Sequence, residues 1–200
     1  MIFSTKRTTW VMCLITAVAV AGCAGPSPVP AESWTLPAKG SPETAMFVGR
    51  IGRYGNDKQL ILNYVNFQLW GKVYFYGGYA PKGEKNFVMD NNYFVVPNVK
   101  PGKYWFAGFH ATGYYNGLPA KKDDFIDIKP GQVKFAGSFD YVDGTSNTLR
   151  TIVGIPGTFS LKPAAKPSEI EMLRWLLRVG NGSGWEPAIK QRIRELGGQL

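Results

Sequence analysis

A change of period constrains this chain more than any other feature. Between Thr44 and Leu161, short runs rich in aromatic and β-branched residues alternate with clusters of Gly, Pro, Asn and Asp; after Pro163, apolar residues recur at helical spacing. The first pattern is that of strands closed by turns, and many short strands in a row favour a sandwich or barrel over a parallel α/β sheet. The sequence predicts strands at Ala45–Ile51, Leu60–Trp70, Lys72–Tyr76, Tyr93–Val96, Tyr104–His110, Phe125–Ile128, Val133–Asp140 and Gly157–Leu161. The second pattern predicts a helical pair. Ser168-Glu-Ile-Glu171 has the form of a capping box. Ile170, Leu173 and Leu177 adjoin a second apolar row of Met172, Leu176 and Val179, with Trp175 beside them. Gly180 to Gly184 is a stop, and Pro187 lies near the start of a second helix with Ile189, Ile193 and Leu196 on one face. The pair is expected to pack on the β domain; docking to another protein or to a membrane surface is the alternative.

The first 22 residues predict a leader. Lys6 and Arg7 precede an apolar run from Trp10 to Ala21, which has the length of a secretory h-region and is too short to span a bilayer. The run ends in Val20-Ala21-Gly22-Cys23, which resembles the lipobox of bacterial lipoproteins. The resemblance implies cleavage between Gly22 and Cys23, a diacylglyceryl group on the Cys23 thiol and an N-acyl chain on the new amine. Several acyl chains on one residue anchor durably where one does so marginally. The two cysteines are Cys13, inside the leader, and Cys23, so the mature chain is expected to hold neither a disulfide nor a free thiol. Residues 24–43 hold five prolines among small polar residues and read as a semi-extended tether. Ala24, rather than Asp, after the lipidated cysteine leans toward the periplasmic face of the outer membrane over the inner membrane.

The expected organisation is thus leader 1–22, lipidated Cys23 and tether to 43, β domain 44–162 and helical pair 163–200. Net charge is +9, and without Lys6 and Arg7 it is 21 cations against 14 anions, or +7. This suits attraction to anionic envelope surfaces. No dense basic stripe or nucleic-acid motif accompanies it, so nucleic acid is not expected as a partner.

One local echo stands out. Val99-Lys-Pro-Gly-Lys-Tyr-Trp-Phe-Ala-Gly108 matches Ile128-Lys-Pro-Gly-Gln-Val-Lys-Phe-Ala-Gly137. Pro then Gly suits the centre of a type II turn, and the same turn chemistry recurring in one sheet accounts for the echo without duplication. The stretch Phe94 to Phe109 resembles the hairpin of transthyretin-like (prealbumin-like) and carboxypeptidase-regulatory-like domains. That resemblance implies a mainly β, antiparallel β-sandwich serving as an accessory or binding unit.

The search for chemistry yields little. His110 is the single histidine, there is no nucleophile elbow, and one His without a mature thiol makes a poor zinc set. Asp140 to Asn147 places oxygen ligands around a Gly but lacks EF-hand spacing, so no metal is expected. The Tyr-rich, Gly-flanked segments Tyr74–Tyr79 and Gly113–Gly117 read as loops. Tyr79, Tyr114, Tyr115 and Trp175 are the candidate binding residues, since Tyr and Trp make interface hot spots and stack on sugars. The leading expectation is a non-enzymatic, membrane-anchored module that binds or helps assemble another envelope protein, with no cofactor beyond the lipid on Cys23. A glycan- or peptidoglycan-binding module comes second. A hydrolase using His110 with Asp123 or Asp127 comes third.

Overall fold

The computed structural model describes residues 30–31, 34–36, 43–53, 60, 62–69, 75–76, 87–89, 91–111, 114–118, 125–143 and 159–200. In chain order these form β1 (Ala45–Arg53), β2 (Leu62–Leu69), β3 (Phe75–Tyr76), β4 (Phe87–Val88), β5 (Tyr93–Val99), β6 (Gly102–Ala111), β7 (Tyr114–Gly117), β8 (Ile126–Ile128), β9 (Val133–Asp143), β10 (Phe159–Pro163), α1 (Glu169–Val179) and α2 (Glu186–Glu195). The first sheet runs β10-β9-β1-β5-β4; the second runs β3-β2-β6-β7, with β8 also paired to β6. Among the described residues the fold is mainly β, with two sheets and two helices.

The three layers follow from alternation along β1. Ala45, Phe47 and Ile51 enter a core shared with Leu62, Val65, Phe67, Tyr104 and Phe109 of the second sheet. Met46 and Val48, pointing the other way, enter a core shared with Met172, Leu173, Leu176, Ile189 and Ile193 of the helices. The first sheet is therefore the middle layer, and residues 45–48 of β1 are fully buried. Such a run of consecutive buried apolar residues marks a strand covered on both faces.

The expectation of antiparallel strands throughout is corrected here: the first sheet is mixed, because β1 and β9 run parallel from Met46↔Val133 to Arg53↔Tyr141. Parallel neighbours need a long crossover, and β2 to β8 provide it. The expected hairpin is also absent. β5 belongs to the first sheet and β6 to the second, so the first Lys-Pro-Gly turn crosses between sheets; the second copy carries the chain back, from β8 to β9. Buried Tyr104 closes the first crossing by donating its hydroxyl to the Lys100 carbonyl at 2.7 Å. Gly131 at φ 69 suits the predicted type II turn, whereas Gly102 at φ 154 does not. Register shifts in the β1–β5, β2–β6 and β1–β9 pairings fall beside Asn98, Gly108 and Gly137, all at positive φ. Such bulges rephase which side chains face the core.

The helical pair packs on the open face of the first sheet, as its pattern implied. Ser168 Oγ accepts from the Glu171 amide at 3.4 Å, and Glu171 Oε2 accepts from the Ser168 amide at 2.8 Å. Gly180 follows the last residue of α1. Leu196 departs from expectation: it lies past the end of α2 and is 38 % exposed. Its amide still donates to the Arg192 carbonyl at 3.2 Å, closing the last turn of α2.

Candidate functional site

Two surfaces carry the candidate features. The first lies on the helical layer. Trp34 stacks on Trp175 with centroids 5.9 Å apart and planes 11° from parallel, and Tyr93 meets Trp175 edge-on at 5.0 Å. The Leu36 amide donates to the Val179 carbonyl at 2.8 Å, satisfying one of the acceptors that the end of α1 leaves open. Ala31, Trp34 and Leu36 are buried, so this part of the expected tether is built into the domain. The physical reason is that a Trp and a Leu within a Pro-rich segment have apolar area to bury and an apolar helix face beside them.

An open groove of about 1050 Å³ lies along this seam, between Ala31, Trp34 and Thr35, the turn before β5 and the outward side of α1. Among the described residues Arg50, Lys166, Arg174 and Arg178 line it against a single carboxylate, Glu171. Arg50 is bound to Asp140 at 3.0 Å and Lys166 pairs with Glu171 at 3.6 Å. Elsewhere in the helical layer Arg192 holds Glu169 at 2.8 Å and Glu195 at 3.1 Å, and Lys190 holds Glu186. All four glutamates of the layer are thereby engaged. Arg174, Arg178 and Arg194 have no carboxylate partner among the described residues; Arg174 donates instead to the Gln199 carbonyl at 3.3 Å. The hydrogen bond from the Ser168 backbone, followed by that from its side chain, holds the Glu171 carboxyl below its ordinary value.

The second surface is the outward face of the second sheet. Trp105 alternates with core residue Tyr104 along β6 and is half-buried. It meets half-buried Phe125 edge-to-face at 5.9 Å, and Lys103 Nζ sits 4.9 Å from the centre of the Phe125 ring. A Trp, a Phe and a cation in register form a small amphipathic patch.

The residues singled out in the sequence distribute unevenly. Gly22, Cys23, Tyr79, Asp123 and Asp124 lie outside the described residues. Tyr114 and Tyr115, expected in a loop, belong to β7, where they pair in register with Ala111 and His110; Tyr favours strands, and that preference prevails over the flanking glycines. Trp175 is 8 % exposed, and Trp34 and Tyr93 pack on its ring, so it forms the groove's floor and is not an open stacking platform. Burial pushes the His110 imidazole below its ordinary value. Asp127 pairs in register with Lys103, seven positions along β6 from His110, a separation of about 20 Å at strand rise. Those two residues therefore cannot act together, which removes the Asp127 version of the hydrolase expectation. Asp140 of the oxygen-rich loop is held by Arg50, and residues 144–147 lie outside the described residues. Among the described residues no three His, Cys, Asp or Glu side chains gather closely enough to hold a metal ion, and no helix is long and apolar enough to cross a membrane.

Sequence reasoning missed Trp34, Arg50, Arg174, Arg178, Trp105 and Phe125. The signal for Arg174 and Arg178 was present, since they stand four apart and share one helix face. A lone Trp in a proline-rich tether was the signal for Trp34. Nothing local pointed to Arg50 or Phe125. Comparison with protein-family models, with curated proteins and with solved structures finds no match for this chain.

Proposed function

We propose that the chain is the precursor of an envelope lipoprotein. It is cut before Cys23, lipidated there, and held on the periplasmic face of the outer membrane. Its two-sheet domain, of transthyretin-like sandwich type, serves as a non-enzymatic module that binds another envelope protein. The observation that carries the binding role is the outward patch of Trp105, Phe125 and Lys103. Half-buried aromatic side chains beside a cation are the side-chain types that dominate protein–protein hot spots. The packing of Trp34 and Leu36 on α1 supports the anchored reading, because an anchor upstream of a docked segment holds the domain in a fixed attitude to the membrane.

The test is in-cell photo-crosslinking from position 103, followed by detergent extraction and mass spectrometry. One abundant envelope protein is expected, lost in Cys23→Ser and reduced about thirtyfold or more in Trp105→Ala, as a hot-spot truncation of about 2 kcal/mol or more implies. Capture of glycan fragments without a consistent protein would replace this reading with the glycan-binding one. An unlipidated Cys23 in the mass spectrum of the mature chain would remove the anchor.

A further inference from the structure

We propose that the cationic groove on the helical layer seats anionic phosphate headgroups of the membrane that holds the chain, so that α1 with Ala31, Trp34 and Thr35 faces the bilayer. Charge complementarity is the first argument. Among the described lining residues Arg50 and Lys166 are paired with Asp140 and Glu171, which leaves Arg174 and Arg178 as the surplus charge, and the carboxylates of the helical layer are already consumed by Lys166, Lys190 and Arg192. Arg174 and Arg178 are exposed, unmatched by any described carboxylate, and four apart on one face of α1. Guanidinium groups in this state bind phosphate oxygens through paired N–H donors.

Reach is the second argument. Pro30 stands seven residues after Cys23, and the groove wall begins at Ala31. Seven residues span at most about 25 Å even when fully extended. A lipid on Cys23 thus cannot hold this wall farther than that from the headgroup layer. The attraction of basic side chains to an anionic leaflet acts within a Debye length, roughly 8 to 10 Å. The proposed orientation turns the Trp105 patch, on the opposite outer layer, away from the membrane and toward the periplasm.

This inference rests on lipidation at Cys23 for its choice of membrane, but the groove can be tested without the lipid. Every described element lies downstream of residue 29, so the mature chain from residue 23 with Cys23→Ser retains them all. It is mixed with vesicles of phosphatidylcholine alone or of phosphatidylcholine with phosphatidylglycerol, and the bound fraction is measured by sedimentation. Binding is expected to the anionic vesicles only, falling as salt rises. Arg174→Gln with Arg178→Gln should weaken it about tenfold, and the matching Lys substitutions should retain most of it. Lys100→Gln with Lys129→Gln, an equal loss of charge on exposed residues outside the helical layer, should change it little. Equal loss from both Gln pairs would overturn the proposal in favour of unspecific attraction by net charge. Failure to bind anionic vesicles would overturn it outright, as would displacement by soluble inorganic phosphate at low millimolar concentration, which would assign the groove to a free anion. In-cell crosslinking from position 178 to a protein instead of lipid would overturn it as well. The vesicle results do not depend on whether Cys23 is lipidated, which the mass of the native chain decides separately.

Discussion

The two faces of the middle sheet are closed in different ways. Toward the second sheet the seal is aromatic and dry: Phe47 stacks on Phe67 at 4.3 Å, Tyr104 meets Phe47 edge-on at 5.4 Å, and Phe109 packs on Phe159 at 5.6 Å. Toward the helices the seal is aliphatic at its centre and charged at its rim, with Arg50–Asp140, Lys166–Glu171 and Arg192–Glu169 around Met46, Val48, Leu173 and Leu176. The first face is specialised for cohesion. The second holds the same strand with fewer rings, and its charged rim leaves room for a groove and surplus guanidinium groups. Ion pairs at such a half-exposed rim stabilise little, so their value lies in setting geometry and local charge.

The contrast can be broken most forcibly at Phe47. Phe47→Ala should cost about 3–5 kcal/mol, because it removes a fully buried ring between two others and leaves a cavity that a three-layer fold closes poorly. A urea titration that showed a loss near 1 kcal/mol would mean that the two sheets are more loosely joined than their ring stacking implies. On the helical side, Leu173→Ala should cost about 2–4 kcal/mol by the same reasoning. If the helical layer unfolds separately from the sheets, that loss will appear as a second, earlier transition followed by Trp fluorescence, since Trp34, Trp175 and Trp185 all belong to this core. A single transition would instead make the three layers one cooperative unit.

Smaller effects sharpen the picture of the rim. Ser168→Ala should cost about 1 kcal/mol at neutral pH by removing one half of the capping box. Glu171 has a depressed pKa in the folded chain, so its contribution is present above the ordinary carboxylate value and is lost as pH falls through the depressed one. Ser168→Ala keeps the backbone N–H that is the larger cause of this shift and loses only the side-chain hydrogen bond, so its gap from wild type should narrow in acid without closing, and thermal melts across that range measure it. Arg174→Gln with Arg178→Gln should change folding stability by no more than about 0.5 kcal/mol, since no described carboxylate loses a partner. A larger loss would make these arginines part of the fold and not a surface held in reserve.

Much of the layer plan could be read directly. β1, β2, β3, β5, β6, β8, β9 and β10 each fall on an expected strand, because aromatic and β-branched runs bounded by turn residues have few other stable conformations. β4 and β7 were missed for opposite reasons: Phe87–Val88 is too short to show a period, and the glycines around Tyr114 and Tyr115 imitate a loop. Of the groove, only the α1 side was legible. Arg50, Tyr93 and Trp34 come to it from 80 to 140 residues away in the chain, and no local pattern encodes that meeting.

What the sequence determined alone was whatever rests on neighbours within a few residues. The capping box at Ser168 and Glu171, the stop at Gly180, the type II turn at Gly131 and the inward–outward alternation along β1 are all of this kind, because their hydrogen bonds and steric limits close within one turn or one strand. Tertiary structure alone decided the parallel pairing of β1 with β9, the passage of both Lys-Pro-Gly turns between sheets, and the docking of Trp34 on Trp175. Each of these joins segments whose mutual preference is small until the others are in place. The free energy that selects them is the burial of a shared apolar core, and that belongs to no single stretch of chain.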